Sequence, residues 1–194
     1  MIPYLKLPLQ FDPVRLRADL QTAQDFNQWT AHFNKTYYNG DWSGIALRTT
    51  KGTRHPLYID PTVTEFTDTP VLAQCPYFAE VVRSFHCPVE TARLLRLGAG
   101  ASIKAHSDFA LEYTDGKIRV HIPVVTNPQV DFVLNGERLS LLPGEAWFLN
   151  VNLVHSVHNG GETDRVHLVI DCEVNDWVRE MFGDTDGTEL RGGS

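Results

Sequence analysis

The stretch Val130-Asp131-Phe132-Val133-Leu134-Asn135-Gly136-Glu137-Arg138-Leu139-Ser140-Leu141-Leu142 decides the fold. Two apolar runs, Val130–Leu134 and Arg138–Leu142, flank Asn135-Gly136. Both turn residues tolerate the positive φ of a type I′ turn, so the stretch reads as an antiparallel hairpin. Pro143-Gly144 supplies another reversal immediately afterwards. Outward from this hairpin lie further short runs with turn residues between them: Thr91–Leu97, Ile118–Val125, Ala146–Leu149 and Val166–Ile170. There is no internal repeat and no crossover helix between these runs. A doubly wound parallel sheet is therefore disfavoured, and a mainly β sandwich or barrel is expected.

Upstream the pattern changes. Asp12-Pro13 is a helix start, with a carboxylate to cap free N–H groups and a proline where no donor is lost. Leu16, Leu20, Ala23, Phe26, Trp29 and Phe33 keep roughly helical spacing, so one helix, whole or broken in two, is placed from about Pro13 to Phe33. Tyr37 to Thr67 reads as strand and loop, with Gly44–Arg48 extended, and Cys75-Pro76-Tyr77 opens a second short helix through Val81, Val82 and Phe85. The helices are expected to pack on the outside of the sheet. One domain is expected over 1–182, with a helical and lid-forming part at 1–88 and the β core at 89–175. The tail Gly183 to Ser194, rich in Gly, Asp and Thr, is expected to be disordered.

Composition narrows the function classes. The chain has 194 residues and a formal charge of −7 with no basic run, which argues against a nucleic-acid partner. No run approaches the ~18 apolar residues of a membrane span, and the first residues lack a secretory pattern. A soluble, cytoplasmic protein is expected. Cys75, Cys87 and Cys172 have no metal-finger spacing and read as reduced, buried or half-buried thiols.

His106 and Asp108 are two positions apart in extended chain and so project from one face. Alone they also read as an ordinary turn pair. His155 offers a third ligand, and Arg165 follows in the next apolar run. Two imidazoles, one carboxylate and a nearby arginine suit a facial Fe(II) site with an anionic co-substrate. Alternation puts Arg119, His121 and Pro123 on one face of their run, and Arg165, His167 and Val169 on one face of theirs. Such polar groups inside apolar strands ask for a partner.

The stretch from about Arg93 to Asp171 resembles the aspartyl/asparaginyl β-hydroxylase family of 2-oxoglutarate-dependent oxygenases, in particular its small bacterial amino-acid hydroxylases. The matching residues are His106-x-Asp108, Arg119-x-His121, Pro143-Gly144-Glu145 with Trp147, Asn150, His155-x-x-His158-Asn159 and Arg165-x-His167-Leu168-x-x-Asp171. Tyr38-Asn39 through Leu47-Arg48 also resembles the N-terminal part of the bacterial members. The resemblance implies a double-stranded β-helix (jelly roll, cupin-like), with His106, Asp108 and His155 holding Fe(II) and Arg165 holding the distal carboxylate of 2-oxoglutarate. It implies that His121 and Arg119 line the same pocket. The animal members lack the carboxylate ligand at the position of Asp108 and carry an N-terminal repeat domain absent here, which favours a small-molecule substrate.

The expected reaction is hydroxylation of an unactivated C–H of a free amino acid or its derivative with O2, releasing succinate and CO2. Alternatives are a non-catalytic cupin-like metal-binding or sensing module, and a hydroxylase of Asp, Asn or Pro residues in a peptide. Arg93 reads equally as a substrate-carboxylate ligand or a solvated edge-strand charge. Trp42, Tyr38 and Arg48 read as a substrate lid or as helix-to-sheet packing. His158 and Asn159 read as loop caps, His167 as a satisfied core histidine or as a residue that orients a neighbour, Trp147 as core, Glu145 as a solvated turn residue, and Asp171 as a strand-end anchor.

Overall fold

The computed structural model describes residues 2–60 and 62–183. In chain order its elements are β1 (Tyr4–Gln10), α1 (Pro13–Phe26), β2 (Thr30–Ala31), β3 (Tyr38–Asn39), β4 (Trp42–Thr50), β5 (Phe66–Asp68), α2 (Pro70–Gln74), α3 (Pro76–Arg83), β6 (Val89–Leu97), β7 (Ser102–His106), β8 (Lys117–Val125), β9 (Val130–Leu134), β10 (Glu137–Leu139), β11 (Glu145–Leu149), β12 (His155–Asn159), β13 (Arg165–Glu173) and α4 (Asp176–Met181). They form two antiparallel sheets, an eight-stranded one in the order β1-β11-β8-β13-β6-β4-β2 with β5 on β4, and a five-stranded one in the order β10-β9-β12-β7-β3. This is the jelly-roll architecture of the double-stranded β-helix. Among the described residues no helix is long and apolar enough to cross a membrane.

Alternation divides the large sheet into two working faces. Its outer side chains, including Ile45, Leu94, Val120, Ile122, Leu168 and Ile170, pack against the helices in the larger core. Leu16, Leu20 and Ala23 of α1 and Phe78, Val81 and Val82 of α3 complete that layer, so the helices do lie outside. A second core between the sheets is built from Trp42, Leu97, Ile103, Phe132, Leu134, Leu149 and Val157. The polar residues of the inner face lie beside it.

The hairpin forms as its turn chemistry requires. Asn135 and Gly136 both take positive φ (51° and 82°), and Leu134 pairs with Glu137. The second strand is shorter than expected, because Leu142 and Glu145 turn back on each other through Glu145 N–H to Leu142 O and Leu142 N–H to the Glu145 carboxylate. Gly144 is fixed by sterics. Its φ is +83°, and a Cβ there would sit 2.1 Å from the Phe11 carbonyl oxygen.

Several expectations need correction. Asp12 caps α1 as predicted, but the helix stops at Phe26, where Asn27 turns extended and donates to the Ala23 carbonyl. Trp29 and Phe33 therefore lie on a following irregular segment. Glu145 is not solvated: it is 8% exposed and accepts from Lys6, Leu142 N–H and the Trp147 indole. Trp147 is half-buried at the margin of the second core. The three cysteines are free, two buried and Cys87 half-buried. Gly183 closes a turn after α4, and the rest of the expected tail lies outside the described residues.

Candidate metal centre

β7 and β12 are neighbours in the smaller sheet, and their register sets His106 directly opposite His155. A register shift follows at His155/Val157, a local irregularity of the kind that re-aims a side chain. Asp108 lies just past β7, its N–H pinned to the Val151 carbonyl at 2.8 Å. One ligand atom from each of His106, Asp108 and His155 lies within 4.8 Å of the others.

The tautomers follow from the backbone. His106 Nδ1 is 2.7 Å from the Lys104 carbonyl and His155 Nδ1 is 3.0 Å from the Leu153 carbonyl. A carbonyl accepts only, so each Nδ1 carries the proton and each Nε2 keeps its lone pair, as metal-binding histidines do. Tyr37 stacks on the outer side of His106, with ring centroids 4.9 Å apart. Burial lowers the pKa of His155, which keeps it a neutral donor. The donor set of two neutral imidazoles and one carboxylate fits a divalent transition metal such as iron.

Behind the carboxylate stands an arginine network. Arg119 is the cross-strand partner of Asp171 in the β8–β13 ladder. Its Nη1 donates to Asp108 Oδ2 at 2.7 Å, and its Nε donates to Asp171 Oδ1 at 2.6 Å. Asp108 Oδ1 stays free on the side of His106 Nε2, 3.7 Å away. Asp171 also accepts from Arg93 and from the Thr91 hydroxyl. Burial alone would raise the Asp171 pKa, but Arg119 and Arg93 outweigh it and hold the carboxyl well below its ordinary value. Asp171 is thus the internal counter-ion of two arginines. The signal for it was present in the alternation, since positions 165, 167, 169 and 171 share a face.

Arg165 is placed differently. It is 3% exposed and its Nη2 donates to His167 Nδ1 at 2.8 Å, while its Nε has no partner. Among the described residues it pairs with no carboxylate. Burial pulls its pKa down to about 9. His167 is therefore more than a packed core histidine, because it orients this guanidinium. His121 approaches the same His167 nitrogen at 3.3 Å, and burial keeps both imidazoles neutral.

The triad, Arg93, Arg119, His121 and Arg165 line one cavity of about 360 Å³. Arg93 is 6% exposed on β6, which has strands on both sides, so the solvated edge reading is excluded. Trp42 lines the cavity and stacks on His32, with centroids 3.6 Å apart. Tyr38 supports that stack edge-on. Arg48 lies elsewhere, held by Asp68 and the Val89 carbonyl, and forms no lid. His158 and Asn159 are structural: His158 meets the Ser102 hydroxyl, and Asn159 donates to the carbonyls of Leu97, Gly98 and Thr163. The sequence reading missed His32, Phe33, Tyr58 and Phe109, which line the cavity from loops where no periodicity marks them.

A jelly roll with two histidines, a carboxylate and an unpaired arginine around one cavity defines a class, and the comparisons agree. The chain belongs to the aspartyl/asparaginyl beta-hydroxylase family, whose model matches residues 12–174. It is 31% identical over 170 residues to L-proline cis-4-hydroxylase of Rhizobium meliloti (strain 1021), covering 85% of this chain and 59% of that protein. It is 26% identical over 185 residues to L-proline cis-3-hydroxylase 1 of Streptomyces sp, covering 93% and 63%. The chain thus spans about three fifths of the length of these curated relatives. A 2OG-Fe(II) oxygenase family oxidoreductase from Burkholderia pseudomallei shares the fold, with TM-score 0.59, 16% identity, and 89% of this chain and 86% of that one covered. The carbocyclase SnoK from nogalamycin biosynthesis does so with TM-score 0.59, 9% identity, and coverage of 88% and 79%.

Proposed function

We propose that this chain is an Fe(II)- and 2-oxoglutarate-dependent hydroxylase of a free amino acid or a compact derivative. His106, Asp108 and His155 hold the iron, which supplies oxygen activation when 2-oxoglutarate and O2 are bound. The observation that carries the reading is Arg165, a buried guanidinium in the wall of the cavity that holds the triad, with no carboxylate partner among the described residues. A planar guanidinium donates two parallel hydrogen bonds to a carboxylate, so Arg165 takes the distal carboxylate of 2-oxoglutarate, with His167 holding its orientation. His121 lines the same end and stays neutral.

Arg119 spends its donors on Asp108 and Asp171, so its part is to aim the metal-binding carboxylate. Arg93 keeps an unpartnered Nε in the cavity wall and is assigned to the carboxylate of the amino acid. The cavity, about 360 Å³, is at the small end of the ~300–1,000 Å³ of small-molecule sites, which supports a compact substrate over a folded protein domain. The names of the two curated relatives make L-proline the first compound to try.

The test is succinate release from 2-oxoglutarate with Fe(II), ascorbate and a panel of amino acids led by L-proline, with calorimetry of 2-oxoglutarate binding alongside. The expected result is 2-oxoglutarate binding and succinate release stimulated by at least one amino acid. Binding without stimulation by any amino acid would leave a sensing module or a peptide hydroxylase in its place. Absence of 2-oxoglutarate binding would remove the reading altogether.

A further inference from the structure

We propose that His32 is a substrate-binding residue that donates an Nε2–H hydrogen bond to the carboxylate of the amino acid held by Arg93. This rests on the hydroxylase reading and adds a specificity-determining residue that no sequence pattern marks. His32 sits on the cavity wall immediately after β2, with its main chain fixed at both ends. Its N–H donates to the Trp42 carbonyl at 2.8 Å, and its carbonyl accepts from the Tyr38 hydroxyl at 3.3 Å. The ring is clamped between two aromatic faces, Trp42 at 3.6 Å and 13° and Phe33 at 4.4 Å and 27°.

The tautomer is fixed as well. Nδ1 accepts from the Asn34 N–H at 3.4 Å, so in the neutral ring the proton is on Nε2. Burial, reinforced by Arg93, lowers the pKa to about 4, so the ring is neutral at physiological pH. Among the described residues Nε2 has no hydrogen-bond partner, and the residue lines the cavity with Arg93. A rigid single donor and a guanidinium whose Nε has no partner line the same cavity, near enough for Arg93 to act electrostatically on the His32 ring. The group that suits such a wall is a carboxylate, which only accepts. A side chain held this tightly loses little freedom when it binds, so its contribution goes to selection.

The test uses full-length protein, with L-proline as probe and binding measured by calorimetry in the presence of 2-oxoglutarate. His32→Phe keeps the stack and removes the donor, while His32→Gln restores a donor near the Nε2 position. His32→Phe is expected to weaken L-proline binding by roughly 10-fold or more, the scale of a hydrogen bond to a charged group. His32→Gln is expected to recover most of it, and 2-oxoglutarate affinity to stay within about twofold in both. In turnover the loss should fall on KM for the amino acid. Unchanged L-proline affinity in His32→Phe overturns the assignment, as does an equal loss of 2-oxoglutarate affinity. So does wild-type protein that binds 2-oxoglutarate but no amino acid of the panel. Wild-type protein that fails to bind 2-oxoglutarate overturns the hydroxylase reading, and this inference with it.

Discussion

Replacing Arg165 by methionine separates binding from stability in an unusual direction. The guanidinium is fully buried and among the described residues faces no carboxylate, and burial pulls its pKa down to about 9. At about 1.4 kcal/mol per pKa unit, the charged form is worse off than in water by roughly 5 kcal/mol. An arginine does not shed its proton, so the ligand-free fold carries that cost. Methionine keeps the length without the charge. It also leaves His167 Nδ1 without the Arg165 donor, a loss of about 1–3 kcal/mol. The balance is a gain of about 2 kcal/mol or more, read as a Tm rise of roughly 5 °C in metal-free, ligand-free protein. On the assignment proposed for Arg165, the same change would remove two charge-assisted hydrogen bonds to 2-oxoglutarate and should weaken its binding at least ~100-fold by calorimetry. An arginine belonging to a structural ion pair behaves in the opposite way, costing about 3–5 kcal/mol when removed. A fall in Tm of that size with 2-oxoglutarate affinity intact would refute the assignment.

Asp108→Ala and His155→Ala should each abolish iron retention, measured as iron content after gel filtration, whereas Arg165→Met should retain it. Asp171→Asn removes the counter-ion of Arg93 and one of the two carboxylates on Arg119, and should cost about 3–5 kcal/mol in urea denaturation, with a Tm roughly 10 °C lower. Acid should destabilise the metal-free protein early. His121 and His167 stay neutral in the fold, chiefly through burial, while in the unfolded chain they protonate near pH 6.5. The unfolded state then binds more protons, so stability falls as pH drops below about 6.5, by up to about 1.4 kcal/mol per pH unit for each imidazole. Urea midpoints measured from pH 8 to pH 5 in steps would show this, and a flat profile would contradict it.

The parts of the fold legible in the sequence were those with local causes. The Asn135-Gly136 turn and the Asp12-capped start of α1 are set by neighbouring residues, and both form where the sequence places them. β1 was not legible: only Leu7 of its seven residues is buried, and Pro8 sits inside it, which a strand tolerates at a sheet edge. Missing β1 also hid Glu145, because the lysine that captures that carboxylate is Lys6 of β1. The site divides the same way. His106, Asp108, His155 and Arg165 were singled out by residue type and spacing, and the structure sets all four around one cavity. The sharing of Asp171 between two arginines depends on strand register, and the clamp on His32 depends on a loop folding back over β4. Alternation puts Asp171 on the right face but does not say which arginines meet it, and nothing periodic marks His32.

The register that sets His106 against His155 belongs to the smaller sheet, while Arg119, which grips Asp108, belongs to the larger one. An ion seated on the three ligands is therefore tied to both halves of the sandwich, and its affinity reports the gap between them. Thinning the layer that spaces the sheets, at Leu97, Ile103 or Leu149, would loosen iron without touching a ligand. If the triad holds iron as proposed, the width of this oil-filled seam is a tuning screw for an inorganic bond.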